Sequence, residues 1–173
     1  MSTKLRKQIF LLPIPTAEGQ FRAFYSEKGL CALRFPSEER QSKEDSNDAG
    51  SRSREVRRWH GVTTAALNQA LTGQMPSELP PLDFSAGTDF QQQVWRTLLK
   101  IAAGRTLSYG QVAEAIGRPK AVRAVGGACG ANPIPVLVPC HRVLAAHNGL
   151  GGFSSGLNWK RRLLEREGIR ARD

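Results

Sequence analysis

Cysteine is scarce: Cys31, Cys129 and Cys140 are the three in 173 residues. An odd number at wide spacing argues against a disulfide framework, and no CxxC or HxxxH pair marks a zinc site. Long apolar runs are missing too. No window approaches the roughly 18 consecutive apolar residues of a membrane-spanning helix. Glu18 and Arg22 interrupt what would be a signal-peptide core, and no cleavage pattern follows. The chain is therefore expected inside the cell, in the cytosol or nucleoid. Hydrophobic residues still make up 40%, which excludes wholesale disorder. A chain of this length holds one domain or two small ones, with a core that needs no disulfide staple.

Acidic residues are the third shortage, and it is local. Residues 1–83 carry 12 basic and 10 acidic side chains, whereas residues 84–173 carry 13 basic and 5 acidic. Most of the formal charge of +10 therefore lies in the second half. Such an excess attracts polyanions and speeds association with them, and nucleic acid is the first candidate partner. A merely solubilising surface charge is the alternative on charge alone.

The first third reads as strands. Gln8–Leu12, Phe21–Tyr25 and Leu30–Phe35 are β-rich, with Gly19 and Gly29 between them, which predicts a short antiparallel meander. Residues 37–54 hold no large apolar side chain and are expected to form a mobile loop. A helix fits Glu55–Leu71, with Val56, Trp59, Thr63, Ala66 or Leu67, and Ala70 on one face and Gly73 as its cap. Gln74–Leu82, with three prolines, reads as a linker. Thr88 with Gln91 and Ser108 with Gln111 match capping boxes. Phe90, Val94, Leu98 and Ile101 follow the first at helical spacing up to a stop at Gly104. Val112, Ala115 and Ile116 follow the second, before Gly117 and Pro119. A third helix starts near Lys120, so that three short helices form a helix-turn-helix-like unit. A proline-broken run, Asn132–Cys140, and a glycine-rich loop, Gly149–Gly156, lead to a last helix over Asn158–Glu167.

The third helix, AVRAVGGACG, has few large side chains. Gly126 and Gly127 together cost about 2 kcal/mol against alanine in a helix interior. Two readings stay open: close packing against another helix, or insertion of a nearly bare backbone into the minor groove of DNA, which is only about 6 Å wide. Arg123 is its one long cation.

Cys140 stands in Pro139-Cys140-His141-Arg142-Val143. The thiolate is the nucleophile, and a free cysteine ionises near about pH 8.5, so neutral-pH chemistry needs a base or a positive field. His141 is the obvious base and Arg142 adds charge. Adjacent residues point in different directions, so a bridging water is expected between thiol and imidazole rather than a direct bond. The imidazole needs an acidic orienting partner. Asp89, Glu114, Glu165, Glu167 and Asp173 are the candidates in this half, and spacing does not choose among them.

The pattern Ser108-Tyr109, RAVGGA over Arg123–Ala128, Asn132-Pro133, VPCHRV over Val138–Val143, LGGF over Leu150–Phe153 and LLERE over Leu163–Glu167 resembles the O6-alkylguanine-DNA alkyltransferase family. It covers nearly all of residues 84–173, in one order. The resemblance implies a mixed α/β (α+β) fold of two domains. Residues 1–79 would be a small antiparallel sheet with a helix, ribonuclease H-like. Residues 80–173 would be a helical, winged helix-turn-helix-like domain for DNA binding and alkyl transfer. It implies DNA repair by stoichiometric transfer of the alkyl group from O6-alkylguanine, and from O4-alkylthymine, to Cys140 after the damaged nucleotide is flipped out. No cofactor and no metal are implied. The partner it implies is double-stranded DNA containing alkylated guanine. The chain would act as a monomer, with room for cooperative binding along DNA, in the cytoplasm and associated with the nucleoid.

The same resemblance assigns roles. His141 would deprotonate Cys140 through water, Glu167 would hold His141, and Asn132 would brace the turn before the active-site loop. Tyr109 would donate toward guanine N3 as charge develops on the leaving base, and would press on the phosphate backbone. Arg123 would enter the base stack, on a DNA-binding helix that also presents Ala124, Gly126 and Gly127; a plain phosphate contact is the alternative for Arg123. The carbonyls of Cys140 and Val143 would accept from the guanine amine. Phe153, Ser154 and Gly151 would line the base pocket, although position 153 is tyrosine in many relatives. Two rival readings are weaker. A lesion-binding protein without chemistry lacks the reactive cysteine that is present here. A cysteine hydrolase draws its base from a distant segment, not from the next residue.

Overall fold

The computed structural model describes residues 8–36 and 53–172. It is a mixed α/β fold with a small antiparallel sheet and several helices. The sheet has order β1-β2-β3, built from β1 (Phe10–Thr16), β2 (Gly19–Ser26) and β3 (Gly29–Arg34). β1 starts two residues later and ends four later than the pattern predicts, running through Pro13 and Pro15. Proline donates no ladder hydrogen bond, but β1 is an edge strand, where that loss is tolerated. Cys31 is half-buried, and its thiol donates to the Phe24 carbonyl at 3.3 Å. All but the last two residues of the loop expected over 37–54 lie outside the described residues.

Helix α1 (Arg54–Leu71) starts on Ser53, whose hydroxyl accepts from the Val56 amide. It buries Val56, Trp59, Thr63, Ala66, Leu67 and Ala70, the face its periodicity predicts. After it, the proline-rich stretch is pinned to the sheet: the Leu30 amide donates to the Pro81 carbonyl and the Asp83 amide to the Leu30 carbonyl, both at 2.8 Å. Helices α2 (Asp89–Leu98) and α3 (Tyr109–Ala115) each open on a complete capping box, at Thr88/Gln91 and Ser108/Gln111. Each cap contributes about 1 kcal/mol. Helix α4 (Val122–Gly130) begins two residues after Lys120. The Trp95 indole of α2 donates to the Ala128 carbonyl of α4 at 2.8 Å, fixing the two helices in register.

Two-residue strands β4 (Leu107–Ser108) and β5 (Val143–Leu144) pair in parallel, a feature too short to leave a pattern in the sequence. They hold the segment after Cys140 beside the start of α3. Helix α5 (Leu157–Arg166) ends the described chain's regular structure, with Glu167 as its C-cap. One buried apolar cluster runs through both halves, from Ile14, Phe21, Leu30 and Leu67 to Val94, Leu98, Val125, Val143 and Leu163. No helix among the described residues is long and apolar enough to cross a membrane.

Candidate active site

The prolines of Asn132–Cys140 forbid a helix, and Asn132 organises the chain they leave. Its side-chain oxygen accepts from the Ile134 amide at 3.0 Å, a local turn that asparagine favours. Its amide nitrogen donates to the Val138 carbonyl at 2.8 Å and to Cys140 Sγ at 3.1 Å. One side chain thus ties both ends of the loop together and touches the sulfur. Cys140 opens a single 3-10 turn, Cys140–Arg142, and is only 4% exposed. Burial pushes its thiol up from the ordinary cysteine range, while the Asn132 amide and the positive charge of Lys160 pull the other way.

His141 is wholly buried. Its Nε2 lies 2.9 Å from Glu167 Oε1. Glu167 is held down to about pKa 2, since burial is outweighed by its bonds to His141 and Arg142, so it is a carboxylate with no proton to give. Nε2 must therefore carry the hydrogen, which leaves Nδ1 a bare acceptor. That Nδ1 is buried and has no hydrogen-bond partner in the protein, so imidazole and thiol are not directly bonded. Burial also lowers the His141 pKa, against the pull of Glu167, so the ring rests neutral at pH 7. Of the four acidic candidates among the described residues, Glu167 is the one beside His141; Asp173 lies outside them.

Arg142 completes the cluster. Its Nε reaches both Glu167 oxygens at 3.1 and 3.0 Å, Nη2 reaches Oε1 at 2.9 Å, and Nη1 donates to the Ile101 carbonyl at 2.5 Å. The Gly104 amide adds a bond to Glu167 Oε2 at 3.2 Å. Sequence reasoning missed Lys160. It is fully buried, and its ammonium donates to the Val143 carbonyl at 2.6 Å and weakly to Gly152 at 3.4 Å. It thereby ties the strand after Cys140 to the glycine-rich loop. The signal was present: Lys160 shares the buried face of α5 with Leu163 and Leu164, three and four residues on.

Tyr109 opens α3 between two glycines. A Cβ on Gly151 would sit 3.0 Å from its hydroxyl, and one on Gly126 would sit 4.0 Å from its ring. Gly151 has φ +64°, a left-handed conformation only glycine adopts freely. Val143 is fully buried in β5. Phe153 is half-buried and stacks edge-on against Phe35 at 6.0 Å, while Ser154 is exposed. On α4, Val125, Ala128 and Cys129 face inward, and Arg123, Ala124 and Gly127 face solvent. Nothing lies within 4 Å of a Cβ built on Gly127, so packing inside the protein does not explain that glycine. Among the described residues, no three His, Cys, Asp or Glu side chains gather where they could hold a metal ion.

Residues 89–169 match the model of the 6-O-methylguanine DNA methyltransferase DNA-binding domain. A methylated-DNA–protein-cysteine methyltransferase of Mycobacterium tuberculosis H37Rv is 51% identical over 114 residues, 64% of this chain and 68% of that protein. The crystal structure of Mycobacterium tuberculosis OGT in complex with DNA superposes with a TM-score of 0.72 at 39% identity, covering 90% of each chain. The O6-methylguanine-DNA methyltransferase of Pyrococcus kodakaraensis KOD1 gives 0.57 at 25% identity, covering 94% of this chain and 100% of that one. With more than half of the aligned residues identical to a curated relative and a shared fold along nine-tenths of a solved one, the chain belongs to the methylated-DNA–protein-cysteine methyltransferase family.

Proposed function

We propose that this protein repairs DNA by moving the alkyl group of O6-alkylguanine, and of O4-alkylthymine, onto Cys140 in a single turnover. The observation that carries this reading is the buried neutral imidazole of His141, its Nε2–H committed to Glu167 and its Nδ1 bare, on the residue next to a buried thiol. Nδ1 takes the Cys140 proton through a bridging water. The thiolate attacks the alkyl carbon in line, the S–C bond forms, and the C–O bond breaks with its electron pair leaving on the base. Tyr109 donates toward N3 as that charge develops, and the base leaves neutral after protonation. No step regenerates the thiol from the thioether, so each molecule acts once.

The same reading places the duplex. A base inside the stack is out of reach of a thiol that is 4% exposed, so the nucleotide is flipped out at a cost of a few kcal/mol. The exposed face of α4, with Arg123, Ala124 and Gly127, enters the minor groove, and Gly126 leaves room for Tyr109. Arg123 fills the space of the flipped nucleotide. Val143, Gly151, Phe153 and Ser154 line the base pocket. The finer fold assignment belongs to this proposal: a ribonuclease H-like domain over residues 1–79 and a winged helix-turn-helix over 80–173. So do action as a monomer and nucleoid association.

Incubation with a duplex oligonucleotide containing O6-methylguanine tests it. Intact-mass and peptide analysis should show one added CH₂ per protein, on the peptide carrying Cys140. Multiple turnover, or an adduct on another residue, refutes the reading.

A further inference from the structure

Glu167 is the first residue after α5, so its position depends on where that helix ends. The end of α5 is gripped by the first half of the chain. Glu18, in the turn between β1 and β2, forms ion pairs with both Arg162 and Arg166 of α5. Arg166 holds the Glu18 carboxyl below the usual carboxylate range, so the clamp is charged at neutral pH. Arg166 also donates to the Leu71 carbonyl, at the end of α1, at 2.8 Å.

The backbone fits as closely as the side chains. Gly73 lies two residues beyond α1 with φ +81°. A Cβ there would stand 2.1 Å from the Arg166 carbonyl oxygen, 2.6 Å from its carbon and 3.2 Å from the Glu167 amide. These are the backbone atoms of the Arg166–Glu167 peptide, which leads directly into the residue whose side chain orients His141, and they cannot swing aside. Farther along, Met75 Sδ accepts from the Ala103 amide at 3.2 Å and from Arg142 Nη1 at 3.6 Å. The first half of the chain therefore touches Glu167 from behind and Arg142 from the side.

We propose that Glu18 and Gly73 are positioning residues for alkyl transfer: they seat the end of α5 through Arg166 and so hold Glu167 against His141. The inference rests on the proposed roles of His141 and Glu167 at Cys140. Neither Glu18 nor Gly73 touches the thiol. Their effect is on the placement of one carboxylate, where an error of 1 Å costs on the order of a hundredfold in rate.

The test uses the full-length protein with Glu18→Gln, Glu18→Asp and Gly73→Ala. Three quantities are read: the transfer rate at saturating O6-methylguanine duplex, the Kd for undamaged duplex, and the proton NMR signal of the His141 Nε2–H. Glu18→Gln should slow transfer by about tenfold, leave Kd unchanged and shift or broaden the His141 signal. Glu18→Asp should recover part of both losses, and Gly73→Ala should exceed Glu18→Gln. Should Gly73→Ala fail to fold, the two Glu18 variants decide alone. An unchanged His141 signal in Glu18→Gln overturns the proposal, whatever happens to the rate. So does a loss that appears in Kd alone. If the wild type transfers no alkyl group, the reading of the function fails, while the NMR signal still reports whether Glu18 positions Glu167.

Discussion

Replacing Glu167 by glutamine keeps the shape of the side chain and removes its charge. The cost can be worked in two ways. The carboxyl ionises at about pKa 2 in the folded protein against 4.5 for the ordinary group. At about 1.4 kcal/mol per pKa unit, that difference contributes roughly 3 kcal/mol of stability at neutral pH. The side chain is only 2% exposed, so solvent screens little of that figure. The second route starts from Arg142, which is 3% exposed and would lose its counter-charge. Breaking a buried pair on one side costs about 3–5 kcal/mol. The glutamine still accepts two hydrogen bonds, so an overall loss of about 2–4 kcal/mol is expected. The folded carboxyl has the depressed pKa, so its contribution is complete above the unfolded value of 4.5 and is lost as pH falls toward 2. Urea denaturation of wild type and Glu167→Gln should show the full gap at about pH 7 and a gap at least halved at about pH 3. An equal gap at both pH values, or one below about 0.5 kcal/mol at neutral pH, refutes the electrostatic account.

Two further outcomes follow from the same site. Asn132→Ala strands the buried Ile134 amide and removes one of the two donors to the Val138 carbonyl, which keeps its bond from the Cys140 amide. At about 1–3 kcal/mol for the stranded amide and about 1 kcal/mol for the lost bond, the melting temperature should fall by roughly 5–10 °C in calorimetry, and titration of the Cys140 thiol should move up. Lys160→Met removes a buried ammonium but leaves the Val143 carbonyl without its donor. These costs oppose each other, so stability should change by less than about 1 kcal/mol, while alkylation of Cys140 by a free O6-alkylguanine base should shift its rising limb to higher pH. An unshifted limb excludes a role for the Lys160 charge at the thiol.

Much of the helical framework could be read from residues. Thr88 with Gln91 and Ser108 with Gln111 are local signals, and each capping box forms where the sequence places it. The face of α1 follows from periodicity alone. What could not be read is what long-range contacts decide. Pro13 and Pro15 argue against a strand until the edge position of β1 is known. Glu167 could not be told from four other acids, because its selection depends on the end of α5 meeting the Cys140–Arg142 turn, 25 residues earlier in the chain. Lys160 has the helical spacing of a buried position, with Leu163 and Leu164, but a lysine in a basic stretch looks solvated, and the carbonyls of Val143 and Gly152 that receive its ammonium are not legible from spacing.

Gly127 has a consequence for how the chain is constrained over time. It faces solvent on α4 with empty space around it. Alanine there would meet no clash and would stabilise the free protein by up to about 1 kcal/mol. Every methyl added on that face, however, thickens the edge proposed to enter DNA. Position 127 is thus a point where selection for a sturdier molecule and selection for a working one pull in opposite directions, and the glycine records which of them prevailed.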